Sequence, residues 1–272
     1  MKIRLSRFIT AVFMLMAVLP PIAPQSFADD PVARAIMEKV DARDDGDNQT
    51  SDMEMILIDK RGKKRVRRIA TYSKDKGEDT LRLMFFKHPA DVKDTAFLTH
   101  DYDNPSRDDE QWLYLPALRK TKRIASSDKS GSFMGSDLNY SDMTDRNLPD
   151  YDFTLKKEMA VNGINTWLIE SIPRTKKVIR ETGYKKSLIF VRQDNYVVIR
   201  AVHWEKDGGY LKYIDVKKLE LIDDIWVSTE MQITKKKGKQ LAHKTILKLD
   251  KIKFNQDLDD KLFTVRRMEK GL

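Results

Sequence analysis

The chain has 272 residues, of which 34% are charged, and its formal net charge is +9 at pH 7. It contains no Cys, which excludes disulfides, zinc–thiolate sites and thiol catalysis. A chain of this length corresponds to one large all-β domain or to two small ones.

The N-terminal residues 1–28 are predicted to be a cleaved secretory signal peptide, which leaves 29–272 as a single mature domain. Basic residues open the segment, an apolar run spans 9–19, and Ser26-Phe27-Ala28 forms a small-x-small cleavage pattern. The apolar run is too short to cross a bilayer, which needs about 20 residues. Because no Cys is present to carry a lipid anchor, the mature protein is expected to be soluble and periplasmic.

One amphipathic helix is predicted at the start of the mature domain. Asp30 can cap it, and Pro31 occupies the first helical position. Val32, Ile36 and Val40 recur every four residues, which predicts one apolar stripe that faces a sheet.

Alternating apolar and polar residues then predict about ten or eleven strands. Their predicted bounds are 53–57, 66–72, 81–85, 96–99, 112–115, 166–172, 187–192, 196–205, 210–216, 225–234 and 242–254. Such short connections require antiparallel pairing. In the last strand the apolar phase shifts between Leu249 and Ile252, which predicts a bulge or bend. The predicted fold class is mainly β (α+β), with a single strongly curved antiparallel sheet that wraps an apolar interior.

Enzyme signatures are missing from the sequence. The four His residues are scattered and form no H-E-x-x-H motif, and 131–135 reads G-S-F-M-G rather than G-x-S-x-G. No glycine-rich phosphate loop is present, so no catalytic residue, metal or cofactor is predicted. His203 lies on a strand with apolar neighbours and is predicted to be a packed, hydrogen-bonded core histidine. The acidic stretch 101–110 lacks calcium-loop spacing and is predicted to be a solvated turn.

Three basic patches interrupt the strands, at 63–68, 119–123 and 235–239. Hairpin tips and edges carry such charges to prevent aggregation, and the same charges attract phospholipid headgroups or an acidic partner. Both interpretations stay open. The export signal argues against nucleic acid as a partner.

The sheet carries more apolar surface than one helix can cover. The apolar side chains expected to point to an interior are Met53, Met55, Leu83, Phe85, Trp112 and Tyr114. Either this surface folds onto itself as a plain core, or it encloses an apolar ligand.

The stretch Trp112–Met143 resembles the outer membrane lipoprotein-sorting-like family, within the LolA/LolB-like superfamily. The resemblance is most specific in the loop Ser130–Asp137, which reads S-G-S-F-M-G-S-D, and it extends to 83–89, 95–98 and 263–265. It implies a half-barrel sheet whose hydrophobic hollow, closed by lid elements, holds the acyl chains of a lipoprotein. It also implies an association with an inner-membrane RND/MMPL-type transporter.

These observations together predict a periplasmic carrier of lipid or lipoprotein acyl chains. Met53, Met55, Leu83, Phe85, Trp112 and Tyr114 are expected to line the hollow, with Phe133 and Met134 in a mobile gate over its mouth. Arg119, Lys120, Lys122 and Arg123 are expected to meet headgroups or the transporter, in peripheral contact with the membrane. The alternative is a periplasmic interaction subunit of a transporter that has a dry core and binds no lipid.

Overall fold

A computed structural model describes residues 29–271. The predicted signal peptide at 1–28 lies outside the described residues. The three helices are α1 (Pro31–Asp41), α2 (Lys176–Thr182) and α3 (Val265–Lys270). The strands are β1 (Asn48–Asp59), β2 (Lys64–Lys76), β3 (Asp79–His88), β4 (Ala96–Asp101), β5 (Glu110–Leu115), β6 (Lys120–Arg123), β7 (Tyr151–Val161), β8 (Ile164–Pro173), β9 (Tyr184–Arg192), β10 (Val198–Glu205), β11 (Tyr210–Ile222), β12 (Ile225–Lys237) and β13 (Gln240–Phe254).

All thirteen strands form one antiparallel sheet in the order β6-β5-β4-β3-β2-β1-β13-β12-β11-β10-β9-β8-β7. The prediction of a mainly β fold with a single antiparallel sheet is confirmed, but the strand count is higher than predicted. The two strands that the sequence pattern missed, β6 and β7, are the two edges of the sheet. Within residues 29–271 no helix is long and apolar enough to span a membrane.

The sheet is strongly curved around the segment 124–150, which we call the inner segment. Within it, Ser132 and Asn139 form an antiparallel bridge, so these residues lie only about 5 Å apart. The compact loop between them nevertheless reaches β4 through Phe133 and β11 through Asn139. Those strands are six steps apart in the sheet, or about 29 Å if it were flat. The sheet must therefore bend around this loop.

The predicted bulge in the last strand is confirmed. Two residues of β13, Lys251 and Ile252, lie opposite the single residue Ser51 of β1. Lys251 has a left-handed backbone with φ of 51°. The bulge accounts for the apolar phase shift seen in the sequence.

Helix α1 begins as predicted, but its buried face is different. The Asp30 carboxylate accepts hydrogen bonds from the N–H of Val32 at 2.9 Å and of Ala33 at 3.4 Å. The buried side chains are Ala33, Ile36 and Met37, whereas Val32 is 57% exposed. The buried face of α1 is rotated by part of a turn from the predicted stripe, because the face that contacts the sheet carries Ala33 and Met37.

The sheet buries apolar residues on both faces. Its inner face packs against the inner segment and α1. Its outer face, over β3–β5, is covered by the chain's last turns, where Phe263 and Met268 are buried. Two separate cores therefore share strands β3, β4 and β5.

Removal of the α1 cap should measurably destabilise the fold. The Asp30 carboxylate also accepts a hydrogen bond from the Leu155 N–H at 3.0 Å, so it links the helix to β7. We expect Asp30→Ala to lower the free energy of unfolding by about 1–2 kcal/mol in urea titrations. Asp30→Asn, which keeps an acceptor at the cap, should cost less. Equal stability of the two variants would contradict this assignment.

Candidate functional site

A cavity of about 340 Å³ lies between α1 and the inner face of strands β7–β10. Its apolar lining comes from the helix, the inner segment and the sheet: Met37, Val40, Leu148, Tyr151, Phe153, Ile189, Val198 and Ala201. Its polar lining consists of Asp41, Arg43, Asp45, Asp145, Arg146, Ser171, Tyr184, Ser187 and His203. The cavity thus combines an apolar wall with polar groups at both ends.

Helix α1 is fixed as the wall of this cavity by Arg34. The Arg34 guanidinium donates to the carbonyl oxygens of Leu148 at 2.8 Å and Tyr151 at 2.6 Å. It also pairs with Asp29 at 2.7 Å and lies 4.6 Å from the centroid of the Phe153 ring. These contacts join the helix both to the end of the inner segment and to β7, so the position of the wall is well defined.

The inner end of the cavity adjoins a buried charge cluster centred on Asp142. The Asp142 carboxylate lies 3.1 Å from Lys212 Nζ and 2.9 Å from the Arg146 guanidinium, and it accepts a hydrogen bond from the Tyr184 hydroxyl at 2.8 Å. The Lys212 side chain is only 1% exposed. Buried charges are stable only when they are paired in this way. The cluster ties the inner segment to β9 and β11.

Burial and neighbouring charge set the protonation states in this cluster. Burial alone would raise the pKa of Asp142, but Lys212 and Arg146 overcome that effect and lower it to about 2. Burial, assisted by the positive charge of Arg146, lowers the pKa of His203 to about 3. At neutral pH Asp142 is therefore charged and His203 is neutral.

A Ser–His pair faces the cavity. Ser187 Oγ lies 2.7 Å from His203 Nδ1, and the imidazole stacks on the Tyr184 ring with centroids 4.4 Å apart. The prediction that His203 is a packed, hydrogen-bonded core residue is confirmed. An efficient general base has a pKa near the working pH. The low pKa of His203 therefore favours a structural role for the pair over a catalytic one.

The six residues predicted to line the hollow and the two predicted to form its gate do not lie together. Met53, Met55, Phe133 and Met134 belong to the inner core, whereas Leu83, Phe85, Trp112 and Tyr114 belong to the outer core beneath α3. The expectation of one common lining is corrected on this point. Both faces of β3 are apolar, because Met84 and Phe86 alternate with Leu83 and Phe85. The C-terminal segment covers the face that carries Leu83 and Phe85, which was predicted to line the hollow. None of the eight lines the cavity under α1.

Phe133 fills the hollow in this structure rather than closing its mouth. Its side chain is fully buried and packs against Phe97 and Tyr140, with ring centroids 4.9 and 5.7 Å apart. Met134, partly buried, adopts a left-handed backbone, and its carbonyl accepts a hydrogen bond from Arg67. In this structure Phe133 is therefore a packed plug, and its role in a mobile gate stays a prediction.

Hydrogen bonds to β13 hold the plug in place. The Asp137 N–H donates to Thr245 Oγ1 at 3.0 Å, and the Asp137 carboxylate lies 2.7 Å from His243 Nδ1. Ser136 Oγ donates to the Phe133 carbonyl at 2.8 Å. The Ser and Asp residues of the S-G-S-F-M-G-S-D loop thus satisfy buried polar groups around the Phe133 insertion.

Most of the charged residues singled out in the sequence lie on the surface, but Arg67 and Asp101 are buried. Arg119, Lys120, Lys122 and Arg123 are exposed on and beside the edge strand β6. In the acidic stretch 101–110 most carboxylates pair with a cation, such as Asp108 with Lys177 at 2.9 Å. No group of three or more His, Asp or Glu side chains in residues 29–271 is arranged to hold a metal ion.

Sequence reasoning missed the residues that line the cavity. Strict alternation along the strand places Ile199, Ala201 and His203 on one face, but the register shifts between Val198 and Arg200. Because of this bulge, Ile199 packs in an outer cluster while Val198 lines the cavity. No sequence pattern indicated the charge cluster, since Asp142 and Lys212 are 70 positions apart.

Comparisons with known proteins agree on the fold. A family model described as "-like: Uncharacterized protein" matches residues 78–270. A DUF1329 family protein from Desulfovibrio piger is similar in structure, with 29% identity and a TM-score of 0.81, over 89% of this chain and 99% of that one. A putative outer membrane lipoprotein-sorting protein domain from Vibrio parahaemolyticus has 29% identity and a TM-score of 0.79, over 88% and 98%.

A third structure is more distant. A LolA superfamily protein from Nitrosomonas europaea is 19% identical with a TM-score of 0.65, over 86% of this chain and 98% of that one. The resemblance predicted from the Trp112–Met143 stretch is confirmed by these neighbours. Among curated proteins no match was found.

If Phe133 is a packed plug, its truncation should be costly. We expect Phe133→Ala to lower the free energy of unfolding by about 3–5 kcal/mol, as for other buried Phe residues. Met134→Ala, at a partly buried position, is the matched control and should cost clearly less. Urea unfolding of both variants checks this. A Phe133→Ala protein as stable as the wild type would restore the gate interpretation.

The neutral state of buried His203 should appear in the pH dependence of stability. The unfolded chain takes up a proton at His203 below about pH 6.5, whereas the folded protein does so only near pH 3. Acidification therefore destabilises the wild type through this residue. We expect His203→Gln to be less stable at pH 7, and the gap to shrink from pH 6.5 to 4 by up to about 1.4 kcal/mol per pH unit.

Ser187→Ala is the control for this measurement, because it breaks the same hydrogen bond and keeps the imidazole. Urea titrations between pH 7 and 4 should show that its gap to the wild type stays constant. A constant gap for His203→Gln as well would contradict the assignment.

Proposed function

We propose that this chain, which belongs to the family whose model matches residues 78–270, is a periplasmic carrier that binds lipid or lipoprotein acyl chains. Its fold is that of lipoprotein-sorting-like proteins. In this proposal the chain's ligand is held without covalent chemistry. The binding site is the cavity under α1, not the set of residues that sequence patterning suggested.

The cavity carries the proposal. Ligand sites in proteins measure about 300–1,000 Å³ and combine apolar walls with a few polar groups. The cavity, at about 340 Å³, falls at the lower end of that range and has such a lining. Each methylene that leaves water for it contributes about 0.8 kcal/mol. An acyl chain along Met37, Val40 and Phe153 would therefore gain affinity from burial alone.

The similar structures also support the proposal of a lipid or lipoprotein carrier. One neighbour of 29% identity is described as an outer membrane lipoprotein-sorting protein domain, and it matches 88% of this chain. Export through the signal peptide at 1–28 and partnership with an inner-membrane RND/MMPL-type transporter complete the proposal. The exposed Arg119, Lys120, Lys122 and Arg123 on edge strand β6 would supply the contact to headgroups or to that transporter.

One observation favours the alternative of an interaction subunit that binds no lipid. The half of the hollow nearest β1–β5 is already filled by Phe133, Leu138 and Ile124, all buried. The cavity of about 340 Å³ lies in the other half, under α1. A protein that needs no ligand would have such a packed core. Substitutions in the cavity under α1 therefore distinguish the carrier from the interaction subunit.

A substitution that fills the cavity tests whether the protein is a carrier or an interaction subunit that binds no lipid. Val40 lines it from α1 and is half-buried, whereas Val32 on the same helix faces solvent. We expect Val40→Trp to weaken binding of a fluorescent acyl probe with an uncharged head about tenfold or more, a loss of about 1.4 kcal/mol or greater. Val32→Trp should bind like the wild type.

Native mass spectrometry of the exported protein, with lipid extraction, provides a second readout. Co-purifying lipid should be present in the wild type and in Val32→Trp and depleted in Val40→Trp. A wild-type protein that carries no lipid and does not bind the probe would reject the carrier and leave the interaction subunit.

A further inference from the structure

The cavity under α1 continues into a polar cleft of about 640 Å³. The two share five lining residues: Asp41, Asp45, Asp145, Arg146 and Leu148. Asp41, Asp45 and Asp145 are exposed, so they mark where the cavity opens to solvent. A ligand whose apolar part lies in the cavity would place its polar end among these carboxylates.

The cleft is strongly acidic. Its lining includes eight carboxylates: Glu38, Asp41, Asp45, Asp75, Glu78, Asp101, Asp103 and Asp145. Arg82, from β3, pairs with Asp101 and with Asp145, the latter at 2.6 Å. Within residues 29–271 the other six make no ion pair. This concentration of negative charge occurs in a chain whose net charge is +9.

The two arginines that line the cleft are already engaged. Arg34 pairs with Asp29 at 2.7 Å, and the Arg146 guanidinium donates to Asp142 at 2.9 Å and to the Tyr151 hydroxyl at 3.2 Å. Neither is free to neutralise the carboxylates around the opening. Arg43, from the cavity lining, donates to the carbonyl oxygens of Asp44 and Trp226 and acts on Asp45 from nearby. The eight carboxylates of the cleft outnumber the arginines around it, so an anionic head group would meet net repulsion there.

Burial first, and then neighbouring carboxylates, raise the pKa values of three acidic residues of the cleft. The pKa values of Asp41 and Asp45 are raised by burial and then by the nearby charge of Asp145. Burial raises the pKa of Asp75 too, with a contribution from Asp45. Asp41 is the last residue of α1, where a negative charge opposes the helix dipole.

We propose that the cavity takes a single-chain amphiphile with a cationic, amine-type head group, whose chain lies along α1 and whose head lies between Asp41 and Asp45. This inference rests on the proposed function and names its ligand class. The cavity volume fits one chain rather than several. The carboxylates come from four segments of the chain, at 38–45, 75–78, 101–103 and 145, so they surround the opening and meet the head group from several sides.

Two probes of equal chain length test the head group. Dodecylamine and dodecanoate are titrated into the wild-type protein by calorimetry, below their micelle concentrations, at pH 7, low ionic strength and with EDTA to remove divalent cations. We expect dodecylamine to bind about tenfold more tightly, which corresponds to about 1.4 kcal/mol from several exposed charges. Salt at about 0.5 M should shrink the ratio, because the charges are accessible to screening ions.

The double variant Asp41→Asn/Asp45→Asn locates the head group. It should bring the amine-to-carboxylate affinity ratio close to one, while circular dichroism shows an intact sheet. The matched control is Asp207→Asn/Asp257→Asn, two exposed aspartates that line neither the cavity nor the cleft. The control should keep the wild-type ratio. The salt dependence of the wild type tests the same idea without any substitution.

Each outcome decides between the proposals. Equal binding of both probes, or tighter binding of dodecanoate, overturns the cationic head group and leaves the carrier function standing. An amine preference that survives in the Asp41/Asp45 variant overturns the placement of the head. If neither probe binds, and the uncharged acyl probe also fails, both the carrier function and the ligand class are overturned.

Discussion

The inner face of a thirteen-strand curved sheet is larger than one amphipathic helix can cover, and the rest of the molecule follows from how that face is filled. The inner segment 124–150 occupies the half of the hollow that faces β1–β5, with Phe133 as its deepest residue. Helix α1 covers the other half, where the cavity remains. Without the inner segment, the apolar residues of five strands would be open to water, which is unfavourable by roughly 25 cal/mol for each Å².

The inner segment is held by apolar contacts and by the charge cluster at its centre. Asp142 is buried with two cations and a tyrosine hydroxyl, and such a group destabilises a protein strongly if any partner is removed. Lys212 can satisfy its ammonium only on Asp142, Asn139 and Tyr184. The cluster therefore fixes one register of the segment on β9 and β11. A purely apolar segment could slide, and the boundary between the filled and open halves would not be defined.

Sequence reasoning succeeded where one rule acts on neighbouring residues. The α1 cap at Asp30, the bulge at Lys251 and most strands depend on local backbone geometry, so their patterns are visible in the chain. It did not succeed where distant elements decide. Both faces of β3 are apolar, and the choice between Phe85 and Phe86 depends on α3, almost 180 residues later. The edge strand β6 reads K-T-K-R and has no apolar residue to reveal it.

The two ends of the cavity differ in whether their polar groups are satisfied, and this difference orients a ligand. At the inner end Ser187 bonds His203 and Tyr184 bonds Asp142, so each has a partner within the protein. A polar head group placed there would have to break one of those bonds. At the outer end Arg82 pairs with Asp101 and Asp145, but within residues 29–271 no cation forms an ion pair with Asp41 or Asp45. Apolar burial therefore favours a ligand's acyl chain at the inner end, and the negative charge at the opening determines which head groups can bind there.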